Sequence, residues 1–339
     1  MNLGSMEIRK SGTVAAEVIA GEFAAAQRGP VLVDHSMFGR VEISGADRLD
    51  LLHRLSSNDL AGAREGEIRS TLFLTDKGRI VDRVLVFVGR ESLLLVTSPG
   101  ADELLERWID RYTITEDISI RKITDSTIMF LIAGHGVESG LPAAHGFPIE
   151  ENMWAPLPAG GDGAMIALRA ESRRRYAIAI APRGNGGDVR DALVGAGCRP
   201  IGSISYEAYR INEGIAARPG ELSEAHNPYE TGVIEDVSFT KGCYIGQEVI
   251  ARIDTYQKSK RRLTGLLFVD APAVASGEPL LVGDREIGQV TSVMNIGVGG
   301  RYLGLGIVSN ADAPPGALLE TVDAGARARA CDFPIVPAP

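Results

Sequence analysis

The sequence predicts an α+β chain: two lobes built from β-β-α units, followed by a small C-terminal β-barrel. Three observations carry that expectation. A strand pair followed by a helix occurs twice, over residues 69–112 and again over 164–202. Beyond Arg262 helical periodicity gives way to short apolar runs separated by Gly, Pro, Asp and Asn. And 339 residues with 45% hydrophobic and 23% charged content are enough for two or three globular domains.

Taken in order, VLVDHSMFGRVEISG (31–45) reads as two strands around a turn. ADRLDLLHRLSS (46–57) places Leu49, Leu52 and Leu55 on one helical face. RSTLFLTDKGRIVDRVLVFV (69–88) is a hairpin turned at Asp76-Lys77-Gly78, and ESLLLVTSP adds a third strand. GADELLERWIDRY (100–112) is a helix, acidic early and basic late as the helix dipole prefers. The stretch 134–163 is rich in Gly and Pro and reads as an irregular connection. AMIALRAESRRRYAIAIAP (164–182) is a second hairpin, with Arg173, Arg174 and Arg175 at an exposed tip, and 184–202 holds a helix ending at glycine. The two units fit an internal duplication or a chance repeat of a common motif. The boundary falls near 262, giving an α+β region over 1–262 and a barrel over 263–339.

Net charge, cysteine usage and hydropathy exclude several classes. A charge of −9 argues against nucleic-acid binding by the whole surface. Three scattered cysteines make no disulfide framework and no CxxC pair, so a cytoplasmic protein without a metal site is expected. No run is long and apolar enough for a membrane helix, and MNLGSMEIRK lacks a signal peptide's apolar core. The five histidines show no ligand spacing, and the GHG and GNGG runs lack a dinucleotide-site context.

The chemistry concentrates in SFTKGCYIGQEVIAR (238–252). Val249, Ile253 and Tyr256 recur at i, i+4, i+7, which predicts a helix from about Gly246, with Glu248 and Arg252 in the favourable order four apart. Cys243 then precedes a helix N-terminus and follows Lys241 by two residues, and both would favour a thiolate. Gly242 and Gly246 allow tight turning or close approach. Alternatively, Cys243 is a small buried hydrophobe. Lys258, Lys260, Arg261 and Arg262, with Lys241 and Arg252, form a basic stretch suited to an anionic ligand such as a polyglutamate tail, or a solvated turn.

KGCYIGQEVIAR resembles the signature of the YgfZ family, folate-binding proteins tied to iron–sulfur cluster assembly or repair. Lys241, Gly242, Cys243, Tyr244, Gly246, Gln247 and Glu248 carry the resemblance. Over nearly the whole chain the sequence is similar to the wider superfamily of glycine-cleavage T-proteins, through VDHSMFGRVEISGADRLDLLHRLSSNDL, TLFLTDKGRIVDRVLV and EIGQVTSV. That resemblance implies T-protein-like lobes around a central opening that binds tetrahydrofolate, capped by the barrel. It also implies folate contacts from Asp82, Arg83, Asn212 and Glu213, with Tyr244, Gln247, Glu248 and Arg252 shaping a pocket around Cys243. Two departures bear on function. T-proteins carry paired acids in the hairpin, and here the second is Arg83, which cannot do a carboxylate's acid–base work. Where they carry a pterin-recognising glutamate, this chain has Asn212 followed by Glu213.

The resemblance therefore implies a tetrahydrofolate-binding accessory protein. Its partners would be reduced folate and iron–sulfur client or assembly proteins, and Cys243 and Lys241 would be the active pair. A tetrahydrofolate-dependent aminomethyl- or methyltransferase and a folate-free scaffold are the alternatives.

Overall fold

The structure, a computed structural model, describes residues 3–138, 149–256, 259–270, 273–322 and 324–338, with the backbone alone described up to residue 15. Helix α1 (Leu3–Arg28) has no counterpart among the expected elements; it buries Ile19, Phe23 and Ala26 and leads into β1 (Pro30–Asp34). After a short turn come β2 (Phe38–Ser44) and α2 (Arg48–Leu55). The hairpin β3 (Ile68–Leu74) and β4 (Ile80–Val88) follows, then β5 (Ser92–Pro99) and α3 (Asp102–Tyr112). Strands β6 (Ser119–Lys122) and β7 (Thr127–Gly134) close the first half.

The second half opens with β8 (Met153–Pro156), then the hairpin β9 (Met165–Ala170) and β10 (Arg175–Pro182). Helix α4 (Gly186–Gly195), the short β11 (Arg199–Pro200) and α5 (Ser203–Glu213) complete that lobe. One-turn α6 (Pro228–Thr231) and α7 (Gln247–Thr255) bridge to the barrel. Its strands are β12 (Arg261–Phe268), β13 (Pro279–Val282), β14 (Arg285–Val293), β15 (Tyr302–Ser309), β16 (Leu318–Thr321) and β17 (Arg327–Cys331). They close in the order β12-β15-β14-β13-β16-β17, so no edge is left to pair.

β1 and β2 do not pair with each other, although the sequence runs them around one turn. β1 joins the six-stranded sheet β11-β1-β7-β10-β9-β8, and β2 joins the five-stranded sheet β3-β4-β5-β2-β6. Period-2 alternation identifies a strand but not its partner. The connection expected to be irregular over 134–163 contains β8, which pairs with β9; its segment 139–148 lies outside the described residues.

Each sheet is covered on its outer face by helices. Val189 and Leu193 of α4 pack on Phe130, Ile132, Ile166 and Leu168, while Leu51, Leu52 and Leu55 of α2 and Leu105 and Ile109 of α3 pack on Val41, Val84, Val86 and Leu95. Leu51, not the expected Leu49, is fully buried on α2. The inner faces meet through Val33, Phe87, Val96, Leu131 and Ile178, with Tyr209 of α5 packed among them. Between those faces lies the chamber described next. After β17 the chain returns from the barrel to α5, where Ile335 N donates to Asn212 O at 3.0 Å.

Candidate functional site

The space between the sheets is a chamber with a mouth. The inner part, a cavity of ≈ 130 Å³, is walled by apolar and aromatic side chains including Phe38, Leu85, Val96, Leu131, Tyr206 and Tyr209. The mouth is a cavity of ≈ 840 Å³, walled by the β9–β10 turn, the end of α5, residues 229–239 and the tail after β17. Arg83, Arg174, Ile215 and Ala216 line both, so the two are one continuous opening.

Arg83 sits at the junction. Strand residues alternate between faces, so on β4 Arg83 and Leu85 look into the chamber while Asp82, Val84 and Val86 look toward α2 and α3. The Arg83 guanidinium donates from Nε to Asp236 Oδ2 at 2.5 Å and from Nη2 to Glu171 Oε1 at 3.1 Å. Asp236 also accepts from the Ser70 hydroxyl, to which Arg169 Nη2 donates at 2.9 Å. Glu171 accepts from Arg174 Nε at 2.7 Å and from Tyr176 Oη at 2.8 Å. Burial alone would raise the Glu171 carboxyl, but Arg83 and Arg174 hold it well below the usual carboxylate range. The same two carboxylates raise the Arg83 guanidinium despite its burial. The result is a buried network with Arg83 held charged at its centre.

The other folate positions expected from the resemblance divide. Asp82 is 1% exposed and does not line the chamber; its Oδ2 accepts from Ser98 N at 3.0 Å, its Oδ1 has no partner, and burial pushes its carboxyl up to about 6. Asn212 is turned away as well. Its Oδ1 accepts from Val336 N at 2.8 Å, and its Nδ2 donates to Val336 O at 3.2 Å and to Glu213 Oε1 at 2.9 Å, so it pins the C-terminal tail while touching the neighbouring carboxylate. Glu213, one residue on, does line the mouth, and burial raises its carboxyl. Adjacent helical residues point about 100° apart. Of the four, Arg83 and Glu213 are brought to the opening and Asp82 and Asn212 are not.

The cysteine motif forms an exposed loop entering α7. Cys243 is exposed, which excludes the buried-hydrophobe alternative; the buried thiol is Cys198, pushed up to about 11 by burial. Lys241, expected to act with the thiol, turns its ammonium toward α2. Its ammonium donates to the carbonyls of His53, Ser56 (2.7 Å) and Asn58 (2.9 Å) and lies 5.2 Å from the Tyr244 ring centre. Those carbonyls stand at the C-terminal end of α2 and just beyond it, where a cation is favoured. Burial pushes Lys241 down to about 8. Tyr244 is buried with Leu72, Leu74, Ile80 and Ile250, and burial raises its hydroxyl to about 12.

Gly246 has φ +86°, and a Cβ there would lie 2.6 Å from Thr75 O, so the loop docks on the β3–β4 turn through that glycine. At Gly242 a Cβ would meet nothing within 4 Å. α7 buries Ile250, not the expected Val249/Ile253/Tyr256 stripe, and Tyr256 is 60% exposed. Gln247 is half-buried, and Glu248 and Arg252 are exposed.

The basic residues also separate. Arg262 lines the mouth, Lys260 and Arg261 line a different cavity beside the barrel, and Lys258 lies outside the described residues. Arg173 is exposed as expected, but Arg174 folds over the Tyr176 ring, 4.8 Å from its centre, into the chamber wall.

Sequence reasoning missed Glu171, Asp236, Tyr206, Tyr209 and His35. His35 stacks on Phe38 at 4.5 Å and meets Tyr206 edge-on, and burial pushes it down to about 4. The Tyr206/Tyr209 spacing of three on a helix was the one local signal available. Among the described residues no group of three or more His, Cys, Asp and Glu converges as a metal site, and no helix is long and apolar enough to cross a membrane.

Two facing sheets around a chamber, closed by a barrel, define an α+β ligand-binding architecture. Residues 9–145 match the GCVT N-terminal domain family. The chain is 31% identical over 293 residues to the Arabidopsis thaliana protein named "Putative transferase At1g60990, chloroplastic", covering 85% of this chain and 67% of that one. It is 25% identical over 295 residues to the aminomethyltransferase of Symbiobacterium thermophilum, covering 80% and 76%. The crystal structure of glycine cleavage system aminomethyltransferase T from Bartonella henselae superposes with a TM-score of 0.79 at 15% identity, over 94% of this chain and 90% of that one, and shows the same fold. The chain belongs to the GcvT-like aminomethyltransferase superfamily.

Proposed function

We propose that this chain binds tetrahydrofolate in the chamber and serves iron–sulfur cluster assembly or repair through Cys243, without transferring an aminomethyl group. The observation that carries the reading is Arg83. It occupies the position of the second hairpin acid, looks into the chamber, and is locked by Asp236 and Glu171. A guanidinium cannot accept a proton at any working pH, so the acid–base step of aminomethyl transfer has no agent at that place.

The chamber suits a flat, partly polar ring. Apolar and aromatic side chains line it together with a set of arginines, Arg83, Arg174, Arg175, Arg210 and Arg218, a combination suited to a ring that carries polar or anionic groups. Phe38, Tyr206 and Tyr209 would pack against the ring, Arg83 and Arg174 would offer donors, and Glu213 and Arg262 would meet what projects through the mouth. Tetrahydrofolate, when bound, carries one-carbon units on its nitrogens. The iron–sulfur assignment rests on the KGCYIGQE motif together with the exposure of Cys243, which leaves the thiol open to a client.

The test is client iron–sulfur enzyme activity in cells lacking this protein, restored with the native chain or with Cys243→Ala at equal abundance. The native chain is expected to restore it and the alanine chain to fail. Full rescue by alanine removes the thiol from the function. Production of methylenetetrahydrofolate from an aminomethyl donor by the purified protein would instead establish the transferase reading, which the names of the relatives favour.

A further inference from the structure

We infer that Arg83 is a positioning residue that couples the occupant of the chamber to the Cys243 loop. The inference rests on the folate reading of the chamber and adds to it a route by which binding would be felt at the thiol.

Arg83 lines both the inner chamber and the mouth, so an occupant of either stands against its guanidinium. The partner of that guanidinium, Asp236, is 1% exposed and lies seven residues before Cys243. Asp236 and the residues after it anchor the start of the loop. Asp236 O accepts from Ser57 Oγ at 2.6 Å, and Ser238 N donates to Ser57 O at 3.0 Å. The far end is anchored separately, by buried Tyr244 and by Gly246 against the β3–β4 turn. Between the anchors Phe239, Thr240, Gly242 and Cys243 are exposed, and Phe239 itself forms part of the mouth.

One anchor is therefore a buried ion pair whose cation faces the chamber. An occupant displaces water from around Arg83, and an ion pair strengthens as its surroundings lose water. The tightened pair holds Asp236, and with it the loop that carries Cys243. Lys241 secures the loop from the α2 side and does not face the chamber, so Arg83 is the member of the clasp open to control.

The test uses the full chain and 5-formyltetrahydrofolate, a reduced folate stable in air. Binding is followed by calorimetry and the rate of iodoacetamide alkylation at Cys243 by peptide mass spectrometry. Saturation is expected to slow Cys243 alkylation at least about fivefold, the lower end of ordinary site-to-site coupling. In Asp236→Asn, which keeps the shape and removes the charge, the ligand is expected to bind while the slowing disappears. Hydrogen exchange of the native chain supplies a second readout independent of that variant's folding, with residues 236–246 gaining protection on binding. A purely structural Arg83 would leave both readouts untouched by ligand. Heat of binding without any change at Cys243 or in 236–246 overturns the inference and leaves the folate reading standing. An undiminished response in a folded Asp236→Asn overturns the route. Absence of binding heat overturns the folate reading and the inference together.

Discussion

Asp82→Asn tests whether the retained acid of the hairpin is a chamber residue or a buried charge. Asp82 is 1% exposed, one oxygen accepts from Ser98 N at 3.0 Å, and the other has no partner. Burial raises its carboxyl from 3.8 to about 6, with Ser98 and Arg218 opposing that shift. Its folded value lies above its unfolded value, so the fold binds the proton more tightly. Its contribution is most favourable at low pH and is lost as pH rises through the window from 3.8 to about 6. At about 1.4 kcal/mol per unit, the whole loss is about 3 kcal/mol, of which about 2 kcal/mol falls between pH 4.5 and 7. Asparagine preserves the acceptor for Ser98 N and cannot ionise. The assay is urea unfolding of both proteins across that range. The stability of Asp82→Asn relative to the native chain should climb by about 2 kcal/mol from pH 4.5 to 7 and then level off. A flat difference would refute the reasoning, because it would mean that the carboxylate is as comfortable in the fold as in water.

Three further substitutions separate the roles within the cysteine motif. Gly246→Ala should cost more than about 2 kcal/mol in urea unfolding, because alanine at φ +86° is strained and its Cβ would sit 2.6 Å from Thr75 O. Gly242→Ala, with open space around its Cβ, should stay within about 0.5 kcal/mol. Equal costs would contradict the docking of the loop through Gly246. Lys241→Met strips the donor from the carbonyls of His53, Ser56 and Asn58 and should cost about 2–4 kcal/mol. A loss below about 0.5 kcal/mol would show that water replaces the ammonium and that the lysine is free for other work.

What could be read from the sequence follows from the range of the interactions concerned. A C-terminal barrel, the Asp76–Gly78 turn and helix α3 declare themselves over short stretches, and each is found; strands β16 and β17 of the barrel had no run singled out for them. The loop before α7 was legible for the same reason. The partners of Arg83 were not. Glu171 and Asp236 lie 88 and 153 residues away, and no local pattern marks either. The carbonyl partners of Lys241 were equally hidden: they lie more than 180 residues back, on and just beyond α2, where its four-carbon stem reaches. Asn212 and Glu213 show how far a motif can be carried by position. The helix is there, but the residue at the expected place faces the tail and its neighbour faces the mouth. On nine-residue α7 the period alone admitted two faces, and docking on the hairpin chose Ile250.

The chamber's charges bear on what an occupant could undergo there. Arg83 cannot take up a proton, and Glu171 is held as an anion by two arginines. Asp82 lies behind the sheet, out of reach of the opening. Tyr176 and Tyr206 are raised by burial and stay protonated at neutral pH. His35, pushed down to about 4, stays neutral between Phe38 and Tyr206. That leaves Glu213, at the mouth, as the carboxylate whose affinity for protons burial increases. Under the proposed reading, an inner chamber built this way would grip a ring without itself moving protons on it. On that same reading, this is why binding and reactivity are divided, with the chamber holding the folate and the exposed Cys243 meeting the client.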